Sequence, residues 1–553
     1  MNKTKRQTIK AGAVFAVLYG ISTLLGSTLQ DKGYLCRPEP RTVTLSVAGG
    51  LIAFFLFVIV IGDSQTRFAA EAGRGRRQVT PERRGQKFSA RRKESAALWL
   101  LFMTADLIIL LGVYPGFFVY DAADELAMVQ TRMFTTHHPL FHVLPLGFFL
   151  QLVHKLTGSY NAGIFLYLLL QAAVINAVFV FMLTELSSER REGRDQWFLP
   201  VTVLFLMFCP TVTMFVLCST KDGLFGASLL LMTISLRRIV KTPALLTGKN
   251  PWKTLFIVSS ALMMLYRRNG VYAFAFAGIF LLIWSLRKKL FRQLLFCLLA
   301  ALLLQWGVNT ALAKAVGAKG GEHQEALSVP IMQLTRVYAL DKDSLSSEDQ
   351  RAFMELFDTP VTDKYNPKLS DQVKLHFRND VFDENPAKYA SLWLRTGLSH
   401  PAAYLNAWLM TSYGYWYSSG MIDCYKGNTV YTFTYGDSSY FGYETEQPGT
   451  RHSFIPWIDR FYKEVSLNPA VQKLPVLHWL ISPGALFWIW VFLSFGIVLR
   501  GSRTLLIPYL PVGAVFLTVL LGPCTLPRYV VYLWLGLPLL LWDFLYCRGR
   551  QGQ

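Results

Sequence analysis

The sequence predicts an all-α polytopic membrane protein, and three observations carry that prediction. Apolar and aromatic residues make up 52% of the 553 residues, only 16% are charged, and mean hydropathy is +0.33. That is too apolar for a soluble enzyme of this length. Apolar runs of about 20 residues, the length that crosses a bilayer, recur along the chain. The net charge is +20, but the basic residues sit in short clusters between the apolar runs. That is the positive-inside pattern of a membrane protein, so the expected partner is the lipid bilayer and not nucleic acid.

About twelve transmembrane helices are predicted: 11–30, 44–62, 96–114, 161–184, 198–217, 223–238, 253–267, 270–286, 293–313, 484–500, 504–522 and 528–546. The first follows Lys3, Lys5, Arg6 and Lys10 with no small-x-small cleavage site after it, which reads as an uncleaved helix. The segments "RFAAEAGRGRRQVTPERRGQKFSARRKE" (67–94), "SSERREGRDQ" (187–196), "RRIVK" (237–241), "RKKLFR" (287–292) and "RGR" (548–550) are basic and are assigned to the cytoplasm. Alternation then places both termini inside and 31–43, 115–160, 218–222, 268–269, 314–483 and 523–527 outside. This requires that 140–156 does not span. Its His142, His154 and Lys155 suit an amphipathic helix lying on the outer surface.

Four regions follow. Residues 1–95 form a two-helix membrane segment with a basic loop, and 96–313 form a transmembrane core with a first outer loop at 115–160. Residues 314–483, the only long hydrophilic stretch, form a small, mainly helical extracytoplasmic domain or lid, and 484–553 hold the last membrane helices. The seven cysteines, at 36, 209, 218, 297, 424, 524 and 547, show no CxxC and no zinc-like spacing. Most fall in or beside membrane helices, where cysteine behaves as a small hydrophobe.

The first outer loop holds the chemistry. "YPGFFVYDAADELAMVQTRMFTTHHPLFHVL" (114–144) sets Asp121, Asp124 and Glu125 at i, i+3 and i+4, on one face of a helix. The plain alternative is a helix cap, with acids favoured by the dipole. Pro115-Gly116 ends the preceding span, aromatic residues suit the headgroup zone, and His137-His138-Pro139 leads into the next helix. Together with Gln130, these residues give "YPG…YD…Q…HHPL". This resembles the first outer loop of the GT-C superfamily of membrane glycosyltransferases, and more narrowly a bacterial multi-span family. The resemblance implies a GT-C-like bundle, an essential Asp at Asp121 with Asp124 second, and polyprenyl-phosphate sugar donors. The sequence departs from many relatives, which have one His followed by two prolines.

Further pieces fit the resemblance: "STKDGLFGASLLL" with Lys221 and Asp222, "YRRNGVYAFAF" with Arg267, Arg268 and Asn269, and "LPRYVVYLWLGLPLLL" with Arg528. All are placed on the outer side, against the positive-inside bias. Glycosyl transfer needs a base for the acceptor hydroxyl and cations for the departing phosphate. Asp121 is the expected base. Lys221, Arg267, Arg268 and Arg528 are candidate phosphate ligands, with Asp124, Gln130, His137, His138, Asp222 and Asn269 as further substrate contacts. Each cation has a plainer role as a snorkelling helix-end residue, and the histidines as interface packing.

Asp121, Asp124 and Glu125 are also able to help bind Mg²⁺ or Mn²⁺, but three acids on one face are equally a solvated helix, and no metal is assigned. The aromatic segment 413–443 suits sugar stacking or packing onto the membrane. The expected activity is transfer of a sugar to a cell-envelope glycan, lipid or protein acceptor, with inversion. The rival readings are a flippase of lipid-linked glycans, which would show mid-membrane charges and paired halves, and an O-antigen-ligase-like or polymerase enzyme joining preformed glycans.

Overall fold

The computed structural model describes residues 3–72, 86–189, 196–320, 323–424 and 445–546. Residues 73–85 of the long basic segment, 190–195, 425–443 of the aromatic segment and the terminal 548–550 therefore lie outside the described residues. The described residues form helices with no strand, and the only β-type contacts among them are isolated bridges. The α-helices are α1 (Lys3–Lys32), α2 (Pro40–Ala72), α3 (Gln86–Gly112), α4 (Tyr120–Thr131), α5 (Leu140–Thr157), α6 (Tyr160–Ser188), α7 (Phe198–Phe208) and α8 (Pro210–Val216). Next come α9 (Lys221–Lys241), α10 (Pro251–Tyr266), α11 (Asn269–Arg287), α12 (Phe291–Val316), α13 (Ser328–Leu340), α14 (Ser347–Glu355), α15 (Asp371–Lys374) and α16 (Asn379–Glu384). The last are α17 (Pro386–Ser399), α18 (Pro401–Ser412), α19 (Pro456–Leu467), α20 (Pro475–Ile481), α21 (Pro483–Leu499), α22 (Leu510–Val519) and α23 (Val531–Tyr546).

The chain is an all-α polytopic membrane protein. Among the described residues, nine helices are long and apolar enough to cross a membrane, or eleven if each of two bent pairs is one span. One bent pair is the predicted span 198–217. It breaks by 61° between α7 and α8, where Pro210 opens the second helix and lacks the N–H that would continue the first. The other is α20 with α21, bent by 81°. The predicted span 253–267 is only the 16-residue α10, and 504–522 becomes a 3₁₀ turn (Arg503–Tyr509) followed by the 10-residue α22.

Contacts fix which helix ends lie together. Glu189, just past α6, bonds Arg237 and Lys241 near the end of α9, and Arg237 also bonds Asp543 near the end of α23. At the other end, Arg528 just before α23 meets Asp222 at the start of α9. Both α9–α23 pairs have the same sequence separation, 306 residues. The two helices are therefore parallel, in one register, and ion-paired at both ends.

α5 satisfies the length and composition of a span, with mean hydropathy 1.3. Its neighbours, however, are ends of other helices. Phe141 and His142 pack on Tyr266, the last residue of α10. Leu140 and Val143 cluster with Leu312 and Val316 in the last turn of α12. His154 stacks on Tyr160, the first residue of α6, with ring centroids 3.8 Å apart. A spanning helix would reach the opposite ends, and α5 does not. One expectation about it is corrected. His142, taken from sequence as part of a polar outer face, is 1% exposed, because Glu125 and Tyr167 bond both its ring nitrogens.

Within the region read from sequence as 314–483, a separate apolar core gathers residues from 331 to 407, including Tyr338, Phe353, Phe377 and Leu392. The remainder joins the bundle. Tyr413 and Tyr417 pack with Leu29 of α1, and Ile458 of α19 sits against Gly112 of α3.

Gly223, in the first turn of α9, passes so close to α8 that a Cβ there would stand 2.2 Å from the Phe215 carbonyl oxygen. Backbone cannot step aside as a side chain can. Gly223→Ala is expected to cost about 1–3 kcal/mol by overpacking and to lower the thermal midpoint of the detergent-purified protein.

Candidate functional site

The site forms where two loops run side by side into two helices. Phe117 N–H bonds Leu217 O at 3.1 Å, and Ser219 N–H bonds Phe117 O at 2.9 Å. Val119 N–H bonds Ser219 Oγ at 3.3 Å. Gln171 of α6 donates its amide to Val216 O and Cys218 O at 2.9 and 2.7 Å, satisfying carbonyls that are buried away from water. This short parallel pairing starts α4 at Tyr120 and α9 at Lys221 next to each other. Asp121 and Asp222 thus stand in first turns, where the helix dipole favours a carboxylate. The turn into α4 depends on Gly116, whose φ of +122° suits glycine and whose Cβ would lie 2.1 Å from Leu168 Cδ1.

A chain of ion pairs then joins four parts of the sequence. Arg267 Nη1 donates to Asp222 Oδ1 at 2.7 Å. Arg528 Nε donates to Asp222 Oδ2 at 2.9 Å, and its Nη2 to Asp121 Oδ2 at 2.6 Å. Lys221 Nζ donates to the same Asp121 oxygen at 2.8 Å and to His138 Nδ1 at 3.1 Å. The Arg528 side chain is 2% exposed, against 12% for Lys221 and 15% for Arg267. Arg528 is therefore the buried brace, while Lys221 and Arg267 reach the surface. Tyr529 packs under both arginines, 5.0 Å from Arg267 and 5.3 Å from Arg528, in the range of cation–π attraction.

Two neighbouring acids of α4 are tuned in opposite directions. Burial alone would raise the Asp121 carboxyl, but the charges of Arg528 and Lys221 outweigh it and hold the group well below the usual carboxylate range. Asp124 is pushed up to about 6, first by burial and then by the charges of Asp121 and Glu125.

The two histidines are held by different partners. An ammonium can only donate, so His138 Nδ1 accepts from Lys221 and the ring proton sits on Nε2. Burial and Lys221 press this imidazole well below its ordinary pKa, which keeps it neutral. His142 Nδ1 lies 2.5 Å from Glu125 Oε2, and its Nε2 lies 3.1 Å from the Tyr167 hydroxyl. A carboxylate oxygen accepts, so Nδ1 donates to Glu125, and Nε2 shares its hydrogen bond with the Tyr167 hydroxyl. Glu125 is fully buried, and its Oε1 lies 3.8 Å from both Lys221 Nζ and His138 Nδ1.

Of the residues expected from sequence, Asp121, His138, Lys221, Asp222, Arg267 and Arg528 are brought together. Asp124, His137 and His138 line a cleft of about 410 Å³ beside them, closed on the far side by Glu325, Asp371 and Lys374. Gln130 is exposed and bonds Tyr160 at 2.9 Å, away from the cluster. Asn269 bonds Thr518 at 2.9 Å and ties α11 to α22. Arg268 is exposed, beside the cluster and not in it. Glu125 entered only as one of three acids on a helix face, and His142 and Tyr167 were not singled out as site residues. The signal available was the four-residue spacing of His138 and His142. Among the described residues no three His, Cys, Asp or Glu side chains are grouped as metal ligands. Asp121, Asp124 and Glu125 turn instead to the cations, the cleft and His142.

A family model described as "Family of unknown function (DUF6020)" matches residues 102–550. The chain belongs to this family. The match to DUF6020 spans every residue of the ionic cluster and of the cleft. No curated protein and no solved structure matches the chain.

Removing the brace would leave Asp121 and Asp222 buried without their common partner. Arg528→Met is expected to cost about 3–5 kcal/mol, the usual penalty for an uncompensated buried charge, seen as loss of the monodisperse peak in detergent. Arg528→Lys should recover only part of it, since a single ammonium lacks the fork that spans two carboxylates.

Proposed function

We propose that this protein is an integral membrane glycosyltransferase of GT-C type. It moves a sugar from a polyprenyl-phosphate donor to a cell-envelope acceptor on the extracytoplasmic face. The observation that carries the reading is the pairing of a cationic cluster at helix ends with a cleft holding a carboxylate of raised pKa. The basic stretches 237–241 and 287–292 end α9 and follow α11 at the opposite end of the bundle from Asp121. By the positive-inside bias the Asp121 end faces out. The span count is about twelve if α10 and the 503–519 segment also cross.

Lys221 and Arg267, the cations that reach the surface, take the donor phosphate, and Arg528 holds Asp121 and Asp222 in place beneath them. The acceptor hydroxyl attacks the anomeric carbon, a new C–O bond forms, and the bond to the phosphate oxygen breaks with its electron pair on the departing polyprenyl phosphate. The hydroxyl proton passes to a carboxylate. The resemblance puts that base at Asp121, but an acid held far below neutrality by two cations is a weak base. Asp124 lines the cleft and has a pKa of about 6, near the value that suits a base at neutral pH. We assign it the proton and leave Asp121 to orient Lys221 and Arg528. Two carboxylates pushed apart in pKa mark such a division of roles.

The test is transfer by purified protein from a panel of polyprenyl-phosphate sugars. Asp124→Asn is expected to lose about 10²–10⁴-fold in rate, the usual share of general base catalysis. Asp124 must be ionised to act, so wild-type rate should fall as pH drops through about 6. A rate that holds far below that, with Asp124→Asn active and Asp121→Asn dead, would return the role to Asp121. A single displacement also requires inversion at the anomeric carbon, read by NMR of the product; a retained configuration would reject direct attack.

A further inference from the structure

The cleft next to the ionic cluster has its own chemistry, distinct from the cations beneath it. One wall belongs to the bundle, with Asp124 of α4 and the His138 ring. The other belongs to the segment from 323 to 375, with Gln324, Glu325, Asp371 and Lys374. That second wall is built to hold its shape. Lys374 is 4% exposed, and its Nζ pairs with Glu325 Oε2 and Asp371 Oδ1, both at 3.0 Å. Asn379 Nδ2 donates to Gln324 Oε1 at 2.8 Å, and Asn379 Oδ1 accepts from the His323 and Gln324 amides. Ser370 N–H bonds Pro523 O at 3.0 Å, which fastens this wall to the loop that carries Arg528.

Of the charged groups lining the space, three are carboxylates and one is an ammonium: Glu325 and Asp371 share Lys374, Arg268 lies near Glu325, Lys221 lies near Asp124, and His137 is exposed beside them. The carboxylates that line this space outnumber its lining ammonium, so an anion is less favoured here than on Lys221 and Arg267. Carboxylates accept hydrogen bonds and have none to give. The ligand they suit is therefore rich in hydroxyl donors and carries no negative charge. The same floor holds an independent sign of a missing partner. His138 is 6% exposed and its Nε2 has no hydrogen-bond partner. Lys221 on Nδ1 fixes the proton on that nitrogen. A buried donor without a partner costs free energy that an oxygen atom of a ligand would recover. Tyr120, also on the lining, offers a ring of the kind that covers the apolar face of a pyranose.

We infer that this cleft is the acceptor subsite and that it takes an uncharged carbohydrate, whose hydroxyls bond Asp124, Glu325 and Asp371 and one of whose oxygens accepts from His138. This rests on the transferase reading for the word acceptor, but the binding itself does not. It divides the two substrates by charge: the anionic donor on the cations, the neutral polyol between the two walls.

The experiment measures binding of methyl glycosides to the full-length protein in nanodiscs, by saturation-transfer NMR and calorimetry. One set is neutral (hexosides, pentosides and disaccharide glycosides), and a matched set is anionic (glucuronides and sugar phosphates). At least one neutral glycoside is expected to bind at least ten-fold tighter than its glucuronide. Asp371→Asn, Glu325→Gln and His138→Ala should each weaken it several-fold. Asp371→Asn and Glu325→Gln loosen Lys374, so the melting curve of each variant is recorded. Loss of binding in a variant that melts as wild type supports the proposal, and unchanged binding in all three variants overturns it.

Binding of no neutral glycoside, or preference for the anionic set, also overturns it. If a neutral glycoside binds as described but no polyprenyl-phosphate sugar is ever turned over, the transferase reading falls and the carbohydrate site stands.

Discussion

A guanidinium enclosed between two carboxylates organises this protein. Arg528 comes from the last membrane segment, Asp222 from the start of α9 and Asp121 from α4, so a single side chain fastens together residues separated by most of the chain. Removing charges from water is costly, and only close hydrogen-bonded pairing offsets it. Lys221 and Arg267 complete that pairing from the more exposed side. With both acids held at fixed positions, Lys221 is in turn fixed, and through it the His138 ring. The orientations of Lys221 and of the His138 ring thus follow from the one buried contact.

Much of the cluster was legible in the sequence, for a physical reason. Lys221, Arg267 and Arg528 each sit at the end of an apolar run, on the side where basic residues are scarce, so their common location followed from counting spans. Their division of labour did not follow, because sequence position gives no depth. Arg528 was read as a phosphate ligand like the others, yet its side chain is 2% exposed and committed to two acids. Adjacent positions in "RRNG" were equally hard to separate. Arg267 turns inward, Arg268 outward and Asn269 toward α22, as successive residues at a helix start point in different directions. Gln130 was drawn in by its place in the loop, and only the structure shows it bonded to Tyr160.

The fold shows the same boundary between what a pattern encodes and what tertiary contact decides. Length and apolarity mark the candidate membrane segments, and α5 is as long and apolar as several of them and differs in what it touches. His142 looked like a polar residue on a wet face, and pairing with Glu125 and Tyr167 is what takes it inside. The region after 314 was recognised as a hydrophilic insertion. Its middle closes an apolar core of its own within 331–407, while its end packs on α1 and α3 through contacts between residues hundreds of positions apart.

The shared register of α9 and α23 has a mechanical consequence. Oppositely polarised pairs at the two extremities, Asp222 with Arg528 and Arg237 with Asp543, resist sliding in either direction and resist splaying at either tip. The pair behaves as a single stiff strut running the depth of the bundle. Any change of shape in the bundle must then be taken up by the elements that lean on that strut, and not within it.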